Sequence, residues 1–180
     1  TAESVKGTHV LKVQALNATD TVYHEVTIGL SDWIPQASGF VNSSRGVKYL
    51  CAVDSLTVWG TAYDGATTTN YIQEWTRTED GGNTWITGTI PNCAGLEPSM
   101  ICALNNTTAY CPMYKQSGNK PQGIYATFDG GTTWNRQTSA SFSNSASFPN
   151  VVHFFNTNDG FCMGDPINGE YEIYTTSNGG

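Results

Sequence analysis

The chain has 180 residues, with 8 Lys or Arg against 15 Asp or Glu, and a formal charge of −7. That balance leaves no basic stripe for nucleic acid or an anionic membrane surface. No apolar run is long enough to span a bilayer as a helix, and no signal peptide is evident. The first residue is not Met, so a processed or truncated chain is expected.

Residues 1–30 match nothing else in the sequence. Val10, Lys12 and Gln14 alternate with Leu11, Val13 and Ala15, and residues 21–28 are again rich in strand formers. An N-terminal extension holding an extra hairpin or an outer strand is expected there. Next comes Ser31-Asp32-Trp33-Ile34-Pro35-Gln36, which reads as a lone Trp-led strand over residues 31–40.

From residue 50 the sequence repeats. Residues 50–53, 101–104 and 152–155 are largely apolar and 51 apart, and read as innermost, fully buried strands (A). Residues 57–63, 108–114 and 159–165 align without gaps, with Trp59, Tyr110 and Phe161 in register. Small or flexible residues alternate with them, as in a strand (B) whose one face lies close to a neighbour. Residues 71–78, 123–128 and 170–176 form a third, β-branched and aromatic series (C).

Each C segment leads into a turn. Asp80-Gly81-Gly82-Asn83-Thr84-Trp85 recurs as Asp129-Gly130-Gly131-Thr132-Thr133-Trp134, 49 residues on, and Asn178-Gly179-Gly180 follows after another 49. Asp accepts nearby backbone N–H groups, Gly-Gly supplies positive φ, and Thr-Trp resumes a strand (D). Four-stranded units of this period are propeller blades. The expected organisation is all-β: blades at 49–90 and 100–139, an incomplete blade at 150–180, and a closing strand at 31–40. With about three blades present, the ring is expected to be completed by further sequence or by a second copy, residues 33–40 pairing with 171–176.

The two full motifs resemble the Asp-box (BNR) pattern Ser/Thr-x-Asp-x-Gly-x-Thr-Trp of sialidase-like β-propellers. The structural residues this implies are Asp80, Gly82, Trp85, Asp129, Gly131 and Trp134, with Asn178 departing from the pattern. Residues 158–180 are similar to the non-sialidase branch, which includes photosystem II assembly-factor propellers and secreted bacterial proteins. The resemblance implies an extracytoplasmic, bacterial protein. It does not imply a sialidase. Arg45, Arg77 and Arg136 are the only arginines, two of them flank the turns, and the Phe/Tyr-Arg-Ile-Pro segment is missing.

Loop lengths locate a candidate binding face. A–B links and C–D turns are constant. From strand B to the turn the separations are 17, 15 and 13 residues (63 to 80, 114 to 129, 165 to 178), and the D–A links vary as well. B–C and D–A loops share one end of a blade, and variable loops on a rigid scaffold are where binding concentrates. Tyr63, Asp64, Tyr114, Lys115, Phe148 and Asp165 are the expected ligand contacts. Arg45, Lys48, Glu97, Lys120 and Phe142 lie in the same loops. Aromatics among polar groups suit a glycan or a protein ligand. A binding or scaffold module is the first expectation. A glycoside hydrolase using Asp64 and Asp165, and an assembly factor docking protein partners, are the alternatives.

No catalytic triad, metal cluster or cofactor motif is present. The five cysteines form no Cys-x-x-Cys pair. Cys51 and Cys102 fall at equivalent A positions, and Cys111 and Cys162 at equivalent B positions, as small packing residues. Cys93 lies in a loop from which a bridge to Cys102 or Cys111 is open. The sequons at Asn17, Asn42, Asn105 and Asn106 read as chance matches in an Asn/Thr-rich chain.

Overall fold

The computed structural model describes residues 8–12, 25–29, 33–67 and 69–180. Asn17, residues 13–24 and residues 31–32 lie outside them. Every regular element among them is a strand, and the chain divides into two units, Thr1–Pro35 and Gln36–Gly180. In the first unit, β1 (Thr8–Lys12) and β2 (Glu25–Gly29) pair antiparallel, from Thr8 opposite Gly29 to Lys12 opposite Glu25.

The second unit holds three antiparallel sheets. The first runs β3 (Arg45–Ala52), β4 (Val58–Asp64), β5 (Glu74–Thr78) and β6 (Ile86–Thr89) in that order. In the second, β9 (Ala109–Lys115) pairs with β7 (Leu96–Pro98) and β8 (Cys102–Ala103) on one side. On its other side come β10 (Gly123–Thr127) and β11 (Asn135–Arg136). The third runs β12 (Pro149–Phe154), β13 (Asp159–Ile167) and β14 (Glu170–Ser177).

Period-two alternation explains how these sheets stack. Ala109, Cys111 and Met113 of β9 face the first sheet, with Tyr125 and Trp134, against Trp59 and Trp75. Tyr110, Ile124 and Ala126 face the third, against Val152, Phe154 and Cys162. The middle sheet is therefore apolar on both faces, and β10 is buried at every residue. The Trp59, Trp75 and Trp134 rings form a triangle, with centroids 5.3, 6.3 and 6.5 Å apart. In the second interface Tyr110 stacks on Phe154 at 4.0 Å.

The Asp-Gly-Gly turns are built by their own side chains. Asp129 accepts the Thr133 backbone N–H at 2.9 Å and its hydroxyl at 2.7 Å, while Thr127 Oγ1 accepts Gly131 N–H at 2.9 Å. Asp80, Thr84, Thr78 and Gly82 repeat this pattern at 2.9, 2.6 and 2.9 Å. In the third turn Gly180 N–H likewise donates to Thr176 Oγ1, at 2.8 Å, and the Thr176 hydroxyl donates to Asn178 Oδ1 at 2.8 Å, as those of Thr78 and Thr127 do to Asp80 and Asp129. Each turn is also tied to the A–B link beside it: Gly81, Gly130 and Gly179 donate to Leu56, Thr107 and Asn158 carbonyls. Those links carry a second repeat, in which the side chains of Asp54, Asn105 and Asn156 each cap two N–H groups.

These bonds hold three carboxyls below their ordinary range: Asp54 through the Leu56 N–H, Asp80 through the Thr84 hydroxyl, and Asp129 through the Thr133 hydroxyl. A carboxyl with a depressed folded pKa stabilises fully above its unfolded pKa, about 3.9, and loses that contribution as pH falls through the folded value. Thermal midpoints are therefore expected to fall as pH drops below about 4. Asp129→Asn should flatten that dependence. A midpoint indifferent to acid would remove the turns from the acid response.

Several expectations are corrected. Residues 33–40 form no strand. Instead, Ser38 accepts the Thr76 hydroxyl at 2.6 Å and Gly39 lies against Trp85, so residues 36–40 cover the outer face of the first sheet. A Pro at 35 and a left-handed Gly39 (φ 78°) break the extended pattern that Trp33 suggested. The A strands are not uniformly buried: Leu50 is 63% exposed and Phe155 71%. Only the middle sheet has another sheet against each face; on the first, residues 36–40 cover the outer face around Thr76 and Trp85 and leave Leu50 open. Trp134 is buried, but Trp85 is half-buried, with Gly39 against its Cβ. The third strand B runs past residue 165: β13 continues to Ile167, and Asn168-Gly169 (φ 54° and 92°) turn directly into β14, so Asp165 stands on a strand and not in a loop. Leu96–Pro98 is likewise a strand rather than loop. All five cysteines are free thiols, and Cys93 donates to the Ile90 carbonyl at 2.8 Å inside the first core.

Candidate functional site

The B–C and D–A connections place three polar clusters at one end of the stacked sheets. In the first, Arg45 opens β3 directly opposite Asp64, the last residue of β4. Its guanidinium reaches Asp64 at 3.2 Å and Glu74 at 2.9 Å. Asp64 also accepts the Asn70 amide at 2.8 Å and the Ala66 N–H at 2.9 Å. The Asn70 bond leads the causes that bring its carboxyl down to about 2. Asp64 is thus ionised, buried and fully partnered: it fastens its own loop. Tyr63 is 46% exposed, and its ring lies over Gly46, where any Cβ would strike it.

The second cluster joins the first two sheets. Lys48 forms an ion pair with Glu97, whose other oxygen accepts from Gln116 at 2.9 Å. Glu97 stands opposite Tyr114 in the β7–β9 register. Burial, together with a hydrogen bond to Glu97, pushes the Tyr114 hydroxyl up to about 12. Tyr114 is therefore a neutral donor at any physiological pH. Its ring meets Phe148 edge to face, with centroids 6.0 Å apart.

The third cluster continues from Phe148. Asp165 N–H donates to the Phe148 carbonyl at 3.1 Å, and the Asp165 carboxylate accepts from the Asn150 amide. The fold thus brings Tyr114, Phe148 and Asp165 together, whereas Tyr63 and Asp64 belong with Arg45. Lys115 leads away from both groups, into a loop organised by Gln122. That side chain is 5% exposed and donates to the Phe142, Asn144 and Ser147 carbonyls at 3.0, 2.9 and 2.8 Å. Phe142, expected among the loop contacts, is 1% exposed and packs on Tyr174.

Sequence reasoning passed over Gln122, Asn150 and Glu74. Glu74 opens β5 as Arg45 opens β3, but the sequence placed those strands at 71–78 and 50–53, so no local signal paired the two. Among the described residues no three His, Cys, Asp or Glu side chains converge with metal-ligand spacing.

An apolar cavity of about 70 Å³ opens between the second and third sheets, lined by Tyr110, Ile124, Val152, Phe154 and Tyr174. Tyr110 corresponds to Trp59 and Ile124 to Trp75, so this is the place that the Trp134 indole fills between the first two sheets.

No protein-family model matches the sequence, and no curated protein matches it. Solved structures similar in fold include two of YCF48. YCF48 from Cyanidioschyzon merolae superposes with a TM-score of 0.55 at 16% identity, over 86% of this chain and 44% of that one. A structure of YCF48 bound to D1 peptide gives 0.52 at 15% identity, over 83% and 43%. This chain therefore spans less than half the length of either. At such identity the likeness is one of fold: the chain is all-β, with stacked antiparallel blades of the β-propeller kind.

Proposed function

We propose that this chain is part of a protein-docking β-propeller of the Asp-box lineage, which holds an extended segment of a partner polypeptide on its B–C and D–A loops. The observation that carries the reading is the Tyr114–Phe148 pair, beside Glu97 on one side and Asp165 on the other. An aromatic pair supplies apolar area, and the flanking carboxylates and the Tyr114 hydroxyl supply hydrogen bonds to a peptide backbone. The D1 peptide in the YCF48 complex favours a peptide over a glycan as the ligand class on this fold. The hydrolase reading has less support. A general acid needs a raised pKa, and Asp64 is held down by the Asn70 amide first, then the Ala66 N–H, with Arg45 adding to them.

Selection from a displayed peptide library is expected to enrich binders whose contacts map to Tyr114 and Phe148. Tyr114→Ala should weaken them about tenfold or more, the loss typical of an aromatic anchor. Enrichment of glycans on an array, with no peptide selected, would overturn the reading in favour of a carbohydrate module.

A further inference from the structure

Within residues 33–67 and 69–180, the Lys and Arg side chains divide into two groups. Arg45, Lys48 and Arg77 are each bonded to a carboxylate: Asp64 and Glu74, Glu97, and Glu79. Lys115, Lys120 and Arg136 have no such partner, and all three line one cavity of about 300 Å³. Gln122, Ser141 and Ser143 complete much of its wall, and no Asp or Glu lines it. In a chain of net charge −7, three cations with no carboxylate partner among the described residues, meeting at one opening, concentrate positive potential there.

The cavity is also preformed. Its walls are the loop after β9 and the segment after β11, far apart in sequence. Gln122 clamps them: its amide nitrogen donates to three carbonyls of residues 142–147, while its oxygen accepts the Lys115 N–H at 3.3 Å. Arg136 is fixed as well, donating through Nε to the Gln122 carbonyl at 2.7 Å and through a second nitrogen to Ser141. Those bonds occupy one side of the guanidinium. The two lysines are partly exposed and uncommitted.

We propose that this cavity binds acidic side chains of a docked peptide, Lys115 and Lys120 pairing with the carboxylates and Arg136 holding the cavity's charge in place. The proposal rests on the peptide-docking reading and specifies its ligand: an extended segment with Glu or Asp placed to enter between residues 115–122 and 141–145. Carboxylates fit better than a nucleic-acid backbone because the acidic remainder of the surface repels a polyanion.

The test uses isotope-labelled protein titrated with an acetylated Gly-Glu hexapeptide repeat and with its Gly-Gln counterpart. The Glu peptide should shift backbone resonances of residues 115–122 and 141–145, and bind more weakly as salt rises. Lys115→Gln with Lys120→Gln should weaken it about tenfold, the scale of a lost charge-assisted hydrogen bond. Both lysines are partly exposed, so the variant should fold; an unchanged spectrum away from the cavity verifies this. Equal binding of both peptides near Tyr114 and Phe148 would overturn the carboxylate cavity and leave the docking reading standing. Glu-peptide binding in the cavity that ignores Tyr114→Ala would keep the cavity and overturn the aromatic docking face. Shifts with inorganic phosphate but not with the Glu peptide would overturn the peptide ligand.

Discussion

Trp134→Ala is expected to destabilise the protein by about 3–5 kcal/mol, the loss typical of truncating a large core aromatic. Trp134 is 5% exposed and closes the triangle with Trp59 and Trp75 that joins the first two sheets. Its indole nitrogen is buried without a hydrogen-bond partner, so packing alone accounts for its contribution. Trp134→Phe should therefore cost less than Trp134→Ala, since it keeps most of the apolar area and abandons no hydrogen bond. Trp85→Ala provides the contrast: the corresponding residue is half-buried, so its loss should be the smaller. Equal losses at the two positions, measured by denaturant unfolding, would show that the indoles act through their turns rather than through the stacked sheets.

Gly131→Ala should be nearly as damaging, for two separable reasons. Gly131 has φ 91°, and a Cβ there would lie well inside contact distance of the Trp75 ring. Gly169 has almost the same φ, 92°, but nothing within 4 Å of its position. Gly169→Ala should therefore report backbone strain alone, about 1 kcal/mol. Gly131→Ala should add about 1–3 kcal/mol for displacing an indole locked between two others. Indistinguishable losses for the two variants would mean that Trp75 moves aside freely, and that the close approach of turn and ring contributes nothing to the fold.

The comparison of these glycines shows what kind of information each level holds. That Asp129-Gly130-Gly131 is a tight turn was legible in the sequence. The side-chain hydrogen bonds that shape it run between residues no more than four apart, and its positive φ values demand glycine. The same holds for the strands of each unit and their approximate ends, which follow from period-two alternation between turns. The caps at Asp54, Asn105 and Asn156 were equally legible in principle, being local and 51 residues apart.

What the sequence could not supply is which face of a strand meets which neighbour. The aligned A strands are similarly apolar in all three units, yet Ile101 is buried and Leu50 exposed. Burial depends on what stacks against the sheet, and only the middle sheet lies between two others. Likewise Tyr63 with Asp64 and Tyr114 with Lys115 look equivalent on paper. Arg45 pairs with the first carboxylate and the Asn70 amide donates to it, while Glu97 and Phe148 arrive from other parts of the chain to flank Tyr114. The cavity of Lys115, Lys120 and Arg136 is decided the same way. Gln122 reaches residues 20 to 25 positions on to bring its walls together, and no local pattern marks such a contact. Local backbone chemistry determined the repeating turns and strands by itself. Tertiary stacking alone decided which side chains are covered, which charges are paired, and therefore where a ligand can bind.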